Sequence, residues 1–194
     1  QFNYINNYFN QWETALFADN FTDEAEGYRK YIDLDSFLRY FMIGELCGNP
    51  DIFWSVHMTK DRNSDKFVFG PVWDFDIAFD NEKRAYPTDR FNDFLYTTHV
   101  NLASGVMRDI ANRIVKEDPA ARKRLVEMWK TARTEQNITA ESLLDYIDQT
   151  ATLLDEAQTL NFLRWKILNQ KVHENPQAAG SYKGEVDVLK NYIS

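Results

Sequence analysis

The chain has 194 residues, 44% of them hydrophobic, 15% aromatic and 27% charged, which suits one large domain or a generous half of something bigger. A single cysteine, Cys47, excludes a disulfide-stapled scaffold, and seven glycines and five prolines exclude a collagen-like or low-complexity chain. No apolar run approaches the roughly 18–20 residues that span a bilayer, and 30 acids against 22 bases (net −8) disfavour a nucleic-acid partner.

Nucleotide binding stays open, because a divalent cation lets carboxylates face phosphates. The start, Gln1-Phe2-Asn3-Tyr4, carries neither an initiator Met nor a signal peptide, so the chain reads as a piece of a longer one.

Phe2, Ile5, Phe9, Trp12 and Leu16 recur at three- and four-residue steps and predict a first helix with an aromatic-rich face. A second helix starts at Asp33 or Asp35, either of which can cap, and runs to about Cys47, where Gly48-Asn49-Pro50 ends it. Two strand-type segments follow, 53–60 and 66–73, around the polar loop Asp61-Arg62-Asn63-Ser64-Asp65. In the second, Phe67, Phe69 and Pro71 alternate with Lys66, Val68 and Gly70, giving one aromatic face. The stretch 81–98 lacks periodicity, contains Pro87 and reads as loop.

Helices resume near His99, with Leu102, Val106, Ile110 and Ile114 on one face and Met107 beside it. Asp118-Pro119 is a cap followed by proline at the first helical position, opening a helix through Leu125, Val126 and Trp129. Thr139 opens a long helix through Leu143, Ile147, Leu154 and Phe162, closed by Asn175-Pro176, and residues 184–193 form a last short one. The order is helix, helix, hairpin, then helices, with no internal repeat.

The single hairpin is bracketed by the densest acidic cluster. Asp51 precedes its first strand, and Asp74 and Asp76 follow its second, so the topology predicts that these acids lie near one another. Clustered carboxylates repel unless a cation or shared proton compensates them. Oxygen donors with no nearby histidine or cysteine point to Mg²⁺, Mn²⁺ or Ca²⁺ rather than zinc. Asp51 and Asp74 stand twenty-three positions apart. Protein kinases likewise place a catalytic-loop Asp, a short hairpin and then a metal-binding Asp.

Three segments carry a more specific signal: Tyr31-Ile32-Asp33-Leu34-Asp35-Ser36-Phe37, Glu45-Leu46-Cys47-Gly48-Asn49-Pro50-Asp51, and the run from Phe69 through Trp73-Asp74-Phe75-Asp76 to Phe79. In these the chain resembles the CotH kinase family, named after the spore-coat protein H of sporulating bacteria, over about residues 31–81. The resemblance implies an α+β, mainly α fold: an atypical protein-kinase-like C-lobe, helical with one embedded β-hairpin. That lobe would fill 1–194 as a single domain, with the N-terminal nucleotide lobe of the same parent chain lying outside it.

The resemblance also implies transfer of the γ-phosphate of ATP to Ser or Thr of a protein substrate, with Mg²⁺ (or Mn²⁺ or Ca²⁺). Asp51 would be the catalytic aspartate and Asp74 a metal ligand, with Asp76 the next ligand or an orienter of that site. Asn49 and Ser55 would bind the cofactor. Ser55 occupies the place where family members often carry an Asn that serves a second metal. An extracytoplasmic address, such as cell surface, periplasm or spore coat, is implied by the family alone. This piece, lacking a glycine-rich loop, is expected to bind ATP weakly or not at all.

Other readings stand beside these. Asp51 after Gly48-Asn49-Pro50 suits a turn former. Trp73, Phe75, Ile77 and Phe79 predict a buried ridge that would fix Asp74 and Asp76. Glu45 faces the cluster or satisfies Asn49 or a backbone amide. Cys47 reads as an inert thiol, and His57, His99 and His173 show no triad or metal spacing. The alternative to a kinase is a noncatalytic surface or spore-coat-like module that keeps the kinase-like scaffold, and Ser55 in place of Asn favours it.

Overall fold

Why these segments become helices is visible at their ends. The computed structural model describes residues 2–85, 94–98 and 105–194. Asp33 caps α2 (Leu34–Leu46), its Oδ1 accepting the Ser36 amide at 2.7 Å. The helix stops in a Schellman motif: the Gly48 amide donates to the Glu45 carbonyl and the Asn49 amide to the Gly44 carbonyl, with Gly48 at φ 59°. A side chain at Gly48 would meet the left-handed steric penalty, so glycine is what lets the chain turn sharply there. Asp118 Oδ1 accepts the Ala120 and Ala121 amides at the head of α5 (Pro119–Thr134). Thr139 and Ser142 form a reciprocal capping box on α6 (Ala140–Leu153).

The chain packs as two compact units, Gln1–Phe75 with Asp89–Met128 and Asp76–Thr88 with Trp129–Ser194. In the first, α1 (Phe2–Phe17), a 3₁₀ turn at Tyr28–Lys30, α2, a second 3₁₀ turn at Pro50–Phe53, and strands β1 (Met58–Thr59) and β2 (Val68–Phe69) precede α3 (Leu95–Thr98) and α4 (Gly105–Ala111). A π-turn at Asn112–Lys116 leads from α4 to α5. The strands pair antiparallel, Met58 opposite Phe69 and Thr59 opposite Val68, and Ile32 adds a parallel bridge to Phe67. With one small sheet among the described residues, the fold is α+β and mainly α.

The first unit's core is rich in aromatic rings. Phe67 and Phe69 point inward between α1 and α2. The Phe69 ring lies edge-on to Phe37 (5.0 Å) and Trp12 (6.0 Å), while Phe67 meets Tyr8 (5.5 Å) and Trp12 (6.4 Å). Arg113 braces the end of α1, its guanidinium 3.7 Å above the Phe21 ring while donating to the Leu16 and Ala18 carbonyls. Asp118, buried, accepts from the Tyr28 hydroxyl (2.7 Å) and pairs with Arg29.

The second unit holds α6, α7 (Asp155–Arg164), α8 (Tyr182–Ile193) and the segment from Asp76 to Ala85. Glu82 is buried there and grips the Arg84 guanidinium through both oxygens. Lys83 pairs with Glu174, and Phe79 meets Tyr192 edge-on at 5.5 Å.

Several expectations change. The strands are two residues each, because Pro50–Phe53 coils into a 3₁₀ turn and Pro71 onward leaves the ladder. Phe67 and Phe69 are buried as the alternation predicts, but Pro71 is exposed. Val106 faces solvent, and Met107 packs on the core beside Ile110 and Ile114. The long helix from Thr139 breaks at Leu154 and ends at Arg164, well before Asn175-Pro176. One turn of helix, α3, occupies part of the stretch read as loop, whereas Pro87, His99 and Leu102 lie outside the described residues.

Candidate functional site

The site grows from the end of α2. Its Schellman turn delivers Asn49 into the interior, where this side chain has 0% exposure. A buried amide must find partners for both its ends. Asn49 Oδ1 accepts the Asp51 amide at 3.0 Å, capping the 3₁₀ turn, and Nδ2 donates to the Asp74 carbonyl at 2.9 Å. One side chain therefore ties the backbone of Asp51 to that of Asp74. Asp74 sits at φ 54°, a left-handed conformation that Asp tolerates better than most residues.

Asp51 is half-buried on the 3₁₀ turn, and its carbonyl accepts the amides of Trp54 (2.9 Å) and Ser55 (2.8 Å). The Ser55 hydroxyl-bearing residue is thus held one turn beyond Asp51. Tyr40, on α2, donates to the Ile52 carbonyl at 3.2 Å. Burial, reinforced by the nearby Asp51 charge, pushes its hydroxyl up to about 12. Tyr40 is thus a neutral neighbour of Asp51 that no motif announces, since it comes from a different element eleven residues upstream.

Glu45 resolves among its alternatives. Its carboxylate accepts the Leu95 and Tyr96 amides, capping α3, and Phe53 meets Tyr96 at 6.3 Å. The chain returning after Asp74 is thereby pinned beside the turn that carries Asp51. Gly44 gives that turn its room: a Cβ there would lie 2.0 Å from Ile52 Cδ1.

The ridge after β2 is not buried as expected. Trp73 is 58% exposed, and its ring lies 5.5 Å from His57; Phe75 is only half-buried. Asp74 itself is exposed, so its position comes from the backbone bond to Asn49 rather than from flanking apolar side chains. Asp76 belongs to the second unit, where it is exposed and its carbonyl accepts from the Asn81 side chain at 2.7 Å. Cys47 is half-buried, with burial pushing its thiol up to about 11, so it is not poised as a nucleophile.

Among the described residues no group of three His, Cys, Asp or Glu side chains is gathered in a way that could hold a metal. Nor is any described helix long and apolar enough to cross a membrane.

Comparison with curated proteins gives no match, and comparison with solved structures gives none either. The family model described as "CotH kinase protein" matches residues 1–194. With the aspartate-capped helix, the Gly48-Asn49-Pro50-Asp51 turn and the Trp73-Asp74-Phe75-Asp76 segment all present, the chain belongs to the CotH kinase family.

Proposed function

We propose that this chain is the C-lobe of a metal- and ATP-dependent phosphotransferase acting on Ser or Thr of a protein. The observation that carries this reading is the Asn49 bridge. It joins the two acids whose order and spacing match a kinase catalytic loop and metal aspartate. Asp51, half-buried and steadied by the Trp54 and Ser55 amides on its carbonyl, accepts a hydrogen bond from the acceptor hydroxyl and aims its oxygen. Tyr40 donates to the Ile52 carbonyl and stands as a neutral neighbour of that carboxylate. Asp74, with Mg²⁺ bound, would supply the cation that offsets phosphate charge. Ser55 lines the same turn as a neutral oxygen donor.

Radiolabelled-ATP transfer by the parent protein tests this. Asp51→Ala and Asp74→Ala are each expected to lower phosphotransfer by about 10²–10⁴-fold. The same series includes Asp76→Ala and Ser55→Asn. Equal labelling by the wild type and Asp74→Ala would remove Asp74 from the reaction.

The second reading, a noncatalytic surface module, draws on Ser55, whose hydroxyl is a poorer cation ligand than the Asn carbonyl usual in that place. Absence of labelling by the parent, with no gain in Ser55→Asn, favours it.

A further inference from the structure

Trp54 is 63% exposed at the end of the turn that carries Asp51, although a tryptophan ring is among the side chains that gain most from burial. That turn, Pro50–Phe53, is a 3₁₀ helix, in which side chains three residues apart eclipse one another. Asp51 and Trp54 stand in this relation, and the bond that closes the turn joins the same two residues, the Trp54 amide donating to the Asp51 carbonyl at 2.9 Å. Between them, Ile52 and Phe53 are only 3% and 2% exposed. The turn thus directs Ile52 and Phe53 into the core and keeps Asp51 and Trp54 on its outward side. Trp73, also exposed, precedes Asp74 and lies 5.5 Å from the His57 ring, so of these two indoles Trp54 is the one carried by the Asp51 turn.

Spacing says what the ring meets. Three residues of 3₁₀ helix rise about 6 Å. In an extended peptide, residues two apart lie on the same side of the chain, about 6.5–7 Å from one another. An acceptor hydroxyl offered to Asp51 therefore brings the side chain two positions along the substrate over Trp54. Charge selects the kind of side chain. A carboxylate there is repelled by Asp51 and by a chain of net charge −8. A Lys or Arg there is drawn to the Asp51 carboxylate and competes with the acceptor hydroxyl for it. An apolar side chain gains by covering the ring and competes for nothing.

We propose that Trp54 selects protein substrates in which a bulky apolar residue stands two positions from the phosphorylated Ser or Thr. This rests on the phosphotransfer reading, in which Asp51 receives the acceptor hydroxyl. Trp54 then determines specificity, packing on the substrate beside the reacting oxygen without taking part in the transfer.

Phosphotransfer by the parent protein to serine peptides tests it, the peptides carrying Leu, Ala, Lys or Glu one or two residues to either side of the serine. Leu two positions away is expected to raise kcat/KM about tenfold over Ala, and Leu next to the serine to have no such effect. Trp54→Ala is expected to abolish the preference by raising the peptide KM about tenfold, with kcat and the KM for ATP unchanged. Trp54→Phe keeps an apolar ring and should restore most of it. Trp54 is exposed, so the melting temperature of both variants should match the wild type. Equal use of Leu, Lys and Glu at that position, a preference that survives Trp54→Ala, or a loss that falls on the KM for ATP overturns the role of Trp54 and leaves phosphotransfer standing. A parent that labels neither peptide nor protein overturns the phosphotransfer reading, and this proposal with it.

Discussion

Asn49 and Asp118 show how much a single buried polar group decides. Asn49→Ala leaves the Asp51 amide and the Asp74 carbonyl without their partner, at a cost of about 1–3 kcal/mol for each group left unpaired. Asn49→Asp keeps the acceptor for Asp51 but aims a carboxylate oxygen at the Asp74 carbonyl, so it is expected to be at least as damaging. Urea unfolding of both variants measures this. Asp118 is a different case. Burial alone would raise its carboxyl, but the Tyr28 hydroxyl, the Ala121 amide and Arg29 together hold it below the usual carboxylate range.

A carboxyl lowered on folding contributes stability that is fully present above its unfolded value of about 3.9 and fades as pH falls through the folded value. Asp118→Asn is therefore expected to flatten the acid limb of the stability–pH curve. At neutral pH it should cost about 1–3 kcal/mol, since it removes the charged partner of Arg29, which is itself partly open to solvent. Thermal unfolding between pH 2 and 7 compares the two proteins.

Elements show where local rules yield to packing. Alanine in a helix interior ordinarily exceeds glycine by about 1 kcal/mol. Gly44→Ala is expected to reverse that sign, because its methyl group would collide with Ile52, which is buried, and overpacking costs about 1–3 kcal/mol. It would also displace the 3₁₀ turn that carries Asp51. Denaturant midpoints of Gly44→Ala and of Gly44→Ala combined with Ile52→Val check both points, the second substitution restoring part of the loss.

Helix starts at Asp118 and Thr139, and the stop at Gly48, are legible because capping is a contract between residues a few positions apart, while the choice of Asp33 over Asp35 as the cap of α2 comes from the structure. The strands were overestimated because their alternation continues through 70–73, whereas the ladder ends where Pro71 can no longer donate. The buried ridge was misread for a related reason. Period-two apolarity predicts a half-buried strand, but the chain leaves the sheet before Trp73, whose side chain is 58% exposed.

For the whole chain, the proposal that it is one lobe of a kinase makes a prediction about nucleotide binding. The sequence contains no glycine-rich phosphate loop, its early glycines Gly27 and Gly44 being isolated. Gly44 serves instead the approach of Ile52, and the Gly27 position faces the Phe21 and Asp23 carbonyls. Titration calorimetry of the 194-residue chain with Mg-ATP is therefore expected to show no micromolar binding, and heat fitting a micromolar site would contradict the reading of a lobe that needs its partner. A Tyr40 hydroxyl held near 12 implies no ionisation of that group below pH 10, so it should leave any activity profile flat there.

Family, fold class and the order of acids around one hairpin were settled by the sequence, because motif spacing and helical periodicity are local properties of the chain. Only the tertiary structure decided that Asn49 links Asp51 to Asp74, that Glu45 caps α3, that Tyr40 neighbours Asp51, and that α6 and α7 have no buried residue. Each of these depends on residues far apart in the chain meeting in space, and which backbone group a buried amide or carboxylate satisfies is chosen by packing, not by spacing.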